Sequence, residues 1–197
     1  LDVHENEINL VATDTRRLAI VTMQNEAKTK FNLIIPKKAI VEIQKFFFDE
    51  SELYFDNVNL IIKSKNQTFF TKLINGKYPD YQRIIPKNIK YSLTLSRDRF
   101  ISEIKLINAV SNDLKITFSK ETVTFENLNE DSSQAKSEME YSADIDYDLT
   151  IAVSSRYLLD YLQQCETKEF VIGINEPNLP FVLNSGNYKT VIMPIIL

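Results

Sequence analysis

Ser96-Arg97-Asp98-Arg99-Phe100-Ile101-Ser102-Glu103-Ile104-Lys105-Leu106-Ile107-Asn108-Ala109-Val110 places apolar side chains at Phe100, Ile104 and Ile107. Spacings of four and three are the period of a helix that buries one face. Two other stretches share the pattern: about Pro36 to Phe48, with Ile40, Ile43 and Phe47, and about Ser154 to Gln164, with Leu158, Tyr161 and Leu162. The three starts are 60 and 58 residues apart (36 to 96, 96 to 154). The first interval holds strand-like runs at Leu53 to Phe55, Val58 to Lys63, Thr68 to Leu73 and Tyr91 to Leu95, with turn formers such as Asp56-Asn57, Lys65-Asn66 and Asn75-Gly76 between them. The second repeats the plan at Leu114 to Phe118, Thr122 to Glu126, Glu138 to Tyr141 and Leu149 to Val153. Glu169 to Ile174, Leu179 to Leu183 and Tyr188 to Met193 follow the third helix. One helix with about four strands, repeated, predicts an α+β fold of helix-plus-antiparallel-sheet units.

A chain of 197 residues that is 44% hydrophobic can bury one large core or two small ones. No apolar run approaches the ~20 residues of a membrane helix, and the first residues lack a signal-peptide pattern, so a cytoplasmic setting is expected. The lone cysteine, Cys165, has no partner for an internal disulfide and reads as structural. A net charge of -4 excludes a broadly basic surface, and any nucleic-acid binding must use a local patch. From Glu130 to Asp148, seven acidic residues face one lysine, Lys136, which reads as a solvated outer strand and loop.

Cations occupy the helix starts. Pro36 at a first helical position is followed by Lys37 and Lys38; Arg97 and Arg99 follow a Ser96 cap, with Asp98 between them; Arg156 follows Ser154 and Ser155. A helix N-terminus carries partial positive charge, so each cation there costs roughly 0.3–1 kcal/mol unless a polyanion is present to take both fields. Solvated charges without consequence are the plainer reading, and it is kept for Arg156. Lys37, Lys38, Arg97 and Arg99 are candidates for contact with phosphates.

Catalytic sets are thin. His4 is the sole histidine, and Gly76, Gly173 and Gly186 are too scattered for a phosphate loop. Asp144, Asp146 and Asp148 alternate and would share one strand face, where three carboxylates could hold a hard cation. No base lies near them, so a metal-dependent enzyme is only an alternative. The chain reads as non-enzymatic, with no cofactor and no metal.

Three distant stretches point elsewhere: Ala12-Thr13-Asp14-Thr15-Arg16-Arg17-Leu18-Ala19, Tyr78-Pro79-Asp80-Tyr81-Gln82-Arg83-Ile84-Ile85-Pro86, and Val191-Ile192-Met193-Pro194-Ile195-Ile196-Leu197. Together they resemble the bacterial DNA polymerase III beta subunit family, the sliding clamps, and the resemblance extends over essentially the whole chain. It implies a DNA-clamp fold, with residues 1–81 as part of a central domain and 82–197 as a C-terminal domain. Leu1 lies in a strand-like stretch with Ile8, Leu10 and Ala12 on one face, and the expectation is a fragment that lacks the first domain. The implied function is a processivity factor that holds the replicative polymerase and repair proteins on DNA. Implied partners are double-stranded DNA, contacted without sequence preference, and the polymerase III catalytic subunit, clamp loader and repair polymerases, which bind through short glutamine-led apolar peptides. The full-length protein would be a ring homodimer. This fragment would not close a ring, and Leu95 and Ser96 would lie near its orphaned interface. An interaction module that does not encircle DNA is the other alternative.

By the same resemblance, Thr13, Thr15, Leu18, Pro79, Ile84, Pro180, Val191 and Ile192 belong to a peptide groove whose mobile side is Met193, Pro194 and Ile195. Arg17 and Arg83 would flank it, with Ser154 and Tyr157 beside the peptide. Singly, Leu18, Ile84 and Val191 read equally well as core residues; the set carries the expectation. Thr15-Arg16 stands where the family usually has glycine-histidine, Ser154 where asparagine is frequent, and Ile196 where arginine is common. Because Thr15 replaces a residue free to take positive φ, a different backbone is expected at this turn.

Overall fold

The computed structural model describes every residue except 27 and 129–133. The chain divides into two compact units: residues 1–10 with 22–80, and residues 11–21 with 81–197.

The first unit holds β1 (Asp2–Val3), the base of a hairpin between β2 (Glu7–Thr13) and β3 (Arg17–Gln24), β4 (Phe31–Asn32) and the helix α1 (Lys37–Phe46). A three-stranded antiparallel sheet follows, β5 (Glu52–Phe55), β6 (Asn59–Lys63) and β7 (Thr68–Lys72). Strand β1 lies between β2 and β4, pairing Val3 with Ile8 and Asp2 with Asn32. The face of β2 that carries Ile8, Leu10 and Ala12 is not its buried face. Asn9 is buried while Leu10 and Ala12 are exposed, because the Asn9 amide is satisfied: Thr22 Oγ1 donates to its Oδ1 at 2.7 Å, and its Nδ2 donates to Glu7 Oε1 at 2.9 Å. The core is small, Leu33, Leu60 and Ile62, with Ile43, Phe47 and Phe69 packed against it. The inward face of α1 is likewise set by Ala39 and Ile43, four apart, leaving Ile40 exposed. Pro36 is the cap of α1 and not its first helical residue; its carbonyl accepts the amide of Ala39 at 2.9 Å.

In the second unit a 3-10 turn, Tyr81–Arg83, leads into β8 (Tyr91–Ser96), α2 (Arg97–Asn108), β9 (Asp113–Phe118), β10 (Thr122–Asn127) and β11 (Lys136–Glu140). The chain continues through β12 (Leu149–Ser154), α3 (Ser155–Leu162), β13 (Glu169–Ile174), β14 (Phe181–Ser185) and β15 (Tyr188–Ile192). One sheet has the order β11-β10-β9-β12; the other runs β8-β13-β14-β15-β3, the last place filled by the hairpin tip. Both helices and both sheets share one core. Phe100 sits edge-on to Phe125 at 5.0 Å and to Phe170 at 5.2 Å, and Leu158, Tyr161 and Leu162 close the α3 side.

Ser96 and Ser154 occupy the cap positions of α2 and α3, yet neither hydroxyl caps. The first amide of α2, Arg97 N, instead donates to Lys168 O at 2.9 Å, and that of α3, Ser155 N, donates to Asn112 O at 2.8 Å. Leu95 lies on β8, the strand that ends its sheet; it is 1% exposed and pairs with Phe170. Asp144, Asp146 and Asp148 lie on the irregular connection from β11 to β12, not on a strand; Ala143 just before them and Ile145 among them are buried. Among the described residues no group of three or more His, Cys, Asp or Glu is placed to hold a metal. Part of the acidic stretch, residues 130–133, lies outside the described residues.

Candidate functional site

The site grows from the tip of the β2–β3 hairpin. Asp14 Oδ1 accepts the amides of Arg16 at 3.1 Å and Arg17 at 3.0 Å. Thr13 Oγ1 accepts the Thr15 amide at 3.2 Å and donates to Arg17 O at 2.7 Å. These side-chain bonds determine the turn so fully that Thr15 is held at φ 75. The expectation of a different backbone at this position is therefore not met: a β-branched residue takes the left-handed conformation that glycine adopts freely. Such strain persists where the surroundings over-determine it.

Beyond the tip, β3 pairs antiparallel with β15, Leu18 opposite Val191 and Arg17 opposite Ile192. Leu18, Val191 and Ile192 are 2%, 1% and 0% exposed, so they are core residues. Past β15 the chain is pinned twice. Met193 N donates to Arg16 O at 2.9 Å, and Ile195 N donates to Ala152 O of β12 at 2.7 Å. Between these pins Pro194 is buried and the Met193 side chain is exposed. Ile84, whose amide donates to Tyr81 O at 3.0 Å after the 3-10 turn, is also exposed; Pro180 is half-buried just before β14.

Charge at the site converges on Arg17. Its Nε donates to Asp14 Oδ2 at 3.0 Å, its Nη1 donates to Asp160 Oδ2 at 2.8 Å, and its guanidinium lies over the Tyr157 ring at 4.6 Å. Asp160 and Tyr157 both come from α3. Arg156 Nε is 3.8 Å from the same Asp160 oxygen. Partial burial works to raise the Asp14 carboxyl, but the Arg17 side-chain hydrogen bond and the two backbone amides outweigh it and hold the group below its ordinary value. Partial burial opposes the Arg17 charge, and its two carboxylate partners more than compensate, so its pKa is raised.

The second unit thus brings together Thr13, Thr15, Arg17, Leu18, Tyr157, Val191, Ile192, Met193 and Pro194, with Ser154 half-buried at the start of α3. Arg83 is exposed on the 3-10 turn, and Ile195 is half-buried at its bridge. Pro79 belongs to the first unit, as do the exposed Lys37 and Lys38 at the start of α1. Arg99 is exposed, whereas Arg97 is committed: its Nη1 donates to Cys165 O at 2.6 Å and its Nε to Asp98 Oδ1 at 3.0 Å. Sequence reasoning missed Asp160. Its only sequence signal is the i,i+4 spacing from Arg156, which reads as an ordinary surface pair.

Comparison with known proteins identifies similar chains along the whole length of this one. The family description "DNA polymerase III beta subunit, central domain" matches residues 1–80, and "DNA polymerase III beta subunit, C-terminal domain" matches residues 82–196. The beta sliding clamp of Helicobacter pylori is 33% identical over 213 residues, covering 100% of this chain and 57% of that protein. The clamp of Staphylococcus aureus strain Mu50 is 27% identical over 205 residues, covering 98% and 54%. The chain therefore spans a little over half the length of these relatives. The crystal structure of the Helicobacter pylori beta clamp bound to a DNA ligase peptide superposes with a TM-score of 0.91 at 33% identity, over 98% of this chain and 55% of that one.

Proposed function

The chain belongs to the DNA polymerase III beta subunit family, and from that membership we propose that it is the central and C-terminal portion of a sliding clamp. In this reading it is a non-catalytic, cytoplasmic processivity factor. It presents a peptide groove to the replicative polymerase, clamp loader and repair proteins, and the whole protein closes as a ring homodimer around double-stranded DNA. We place the domain boundary between Tyr81 and Gln82, which accords with the two family matches and with the change of compact unit after Asp80.

The observation that carries the groove is the convergence of β3, β15, the 193–195 segment and the start of α3 in one unit, with apolar side chains left open at Met193 and Ile84. A peptide site needs apolar pockets to take anchoring side chains and a polar rim to fix register. Thr13, Thr15, Arg17, Arg83, Ser154 and Tyr157 supply the rim; Leu18, Pro180, Val191, Ile192, Pro194 and Ile195 supply walls and floor. For DNA, the exposed Lys37, Lys38 and Arg99 offer sequence-independent phosphate contacts, while Arg97 acts chiefly within the fold.

The test is a fluorescence-anisotropy titration with a labelled glutamine-led apolar peptide. Ile84→Ser combined with Met193→Ser is the control, because both side chains are exposed and their loss leaves the core intact. Saturable binding that the double variant weakens at least tenfold supports the groove. Equal binding by both proteins, or none by the folded parent, removes it.

A further inference from the structure

The amide of Met193 donates to Arg16 O at 2.9 Å, which continues the β3–β15 ladder one step beyond Arg17 opposite Ile192, so Arg16 lies opposite Met193. Side chains on a strand alternate between faces. Arg16 and Met193 therefore share the face of Leu18 and Val191, whereas Arg17 shares the other face with Ile192 and reaches Tyr157 and Asp160 of α3. The Arg16 backbone is fixed on both sides: its amide donates to Asp14 Oδ1 at 3.1 Å, and its carbonyl accepts Met193 N. Its side chain is exposed, and among the described residues it has no hydrogen bond or ion pair. The neighbouring carboxylates are committed elsewhere. Asp14 holds Arg17 Nε at 3.0 Å, Asp160 holds Arg17 Nη1 at 2.8 Å, and Arg156 is 3.8 Å from Asp160. The two acids cancel Arg17 and Arg156, and the charge of Arg16 is left over.

Building on the groove reading, we propose that Arg16 is a specificity-determining residue that receives the side-chain carboxylate of an acidic residue in the bound peptide. Directly opposed side chains on antiparallel strands start about 5 Å apart at Cβ, so one short peptide spans Arg16 and the exposed Met193. The peptide that fits this pair carries an apolar anchor with an aspartate or glutamate close to it in sequence. A guanidinium suits the role because its planar fork of donors matches a carboxylate. Since the pair stays at the surface, it adds little to total affinity and acts by biasing the choice among peptides.

The experiment uses the full chain at low ionic strength, where the Debye length exceeds ~10 Å. Glutamine-led apolar peptides carrying one Glu at each successive position are compared with a matching set carrying Gln there. In wild type, Glu at one position should bind roughly threefold better than Gln, and added salt should erase the difference. Arg16→Gln should abolish that ratio, Arg16→Lys should keep part of it, and Arg16→Glu should reverse it. Arg83, also exposed and basic, is the competing source of an acidic preference, and Arg83→Gln should keep the ratio. If no position prefers Glu, or the preference survives Arg16→Gln, or it is lost in Arg83→Gln instead, the proposal is overturned, while binding of the Gln peptides leaves the groove reading intact. Failure of the folded wild type to bind any peptide overturns both.

Discussion

Replacing Thr15 with glycine isolates the strain stored at the hairpin tip. An L residue in the left-handed region loses roughly 1–2 kcal/mol relative to its preferred conformations. Glycine has no such penalty, but its greater freedom in the unfolded chain gives back about 0.4–1 kcal/mol. Nothing else is lost: the bond at this position is donated by the Thr15 backbone amide to Thr13 Oγ1, and glycine keeps it. The exposed side chain leaves no cavity. The net expectation is a stabilisation of about 0.5–1 kcal/mol, which for a chain of this length raises Tm by about 2 °C. Scanning calorimetry or a far-ultraviolet circular-dichroism melt of Thr15→Gly beside Thr15→Ala reads it. Alanine keeps the positive-φ penalty and should show little gain. An unchanged or lower Tm for glycine, or equal gains for both variants, would refute the argument that φ 75 is a strained conformation here.

Other expectations concern the same unit. Leu18→Ala removes a side chain 2% exposed opposite Val191 and should cost about 2–5 kcal/mol in urea unfolding; a cost under 1 kcal/mol would contradict the buried register. Arg97→Ala loses a charge-assisted bond to Cys165 O that ties the start of α2 to the end of α3, and should cost about 1–2 kcal/mol by the same assay, whereas Arg99→Ala should be near neutral. Cys165 is 4% exposed, so a thiol reagent should label it only as fast as the unit opens, and far faster after denaturation. The pH dependence follows from Asp14, whose folded pKa lies below its ordinary value of 3.8. Such a group contributes stability at pH above its unfolded pKa and loses it as pH falls through the folded one. With Arg17, Asp160, Arg156 and Tyr157 as the groups around it, wild type should therefore lose stability relative to Asp14→Asn only on acidification below about pH 4.

The three helices were legible because Phe100, Ile104 and Ile107, or Leu158, Tyr161 and Leu162, leave one reading of the period, and both sets are buried. Helix α1 misled by one position: Ile40 satisfies the spacing as well as Ala39 does, and only packing decides between them. On β2 the apolar pattern of Ile8, Leu10 and Ala12 does not reveal that Asn9 is the buried residue, since a polar side chain satisfied by Thr22 and Glu7 looks like a surface residue when its partners are unknown. Turn chemistry was half legible. Asp14 was readable as a turn residue, but whether Thr15 would bend the backbone away or accept strain depended on four side-chain bonds that no local rule foresees. Arg17 was singled out, yet Asp160, 143 positions later, could be joined to it only by the fold.

The hairpin tip has a kinetic consequence. Residues 17–21 pair with residues 188–192, near opposite ends of the chain. Closing so long a loop is slow, and pairings of large sequence separation form late. During synthesis, β3 must therefore wait with one edge unsatisfied until residues 188–192 have left the ribosome. Over that interval it is the strand most exposed to pairing with the wrong partner. The charged and strained tip that follows β2, Asp14 through Arg17, is well suited to discourage such pairing until β15 arrives.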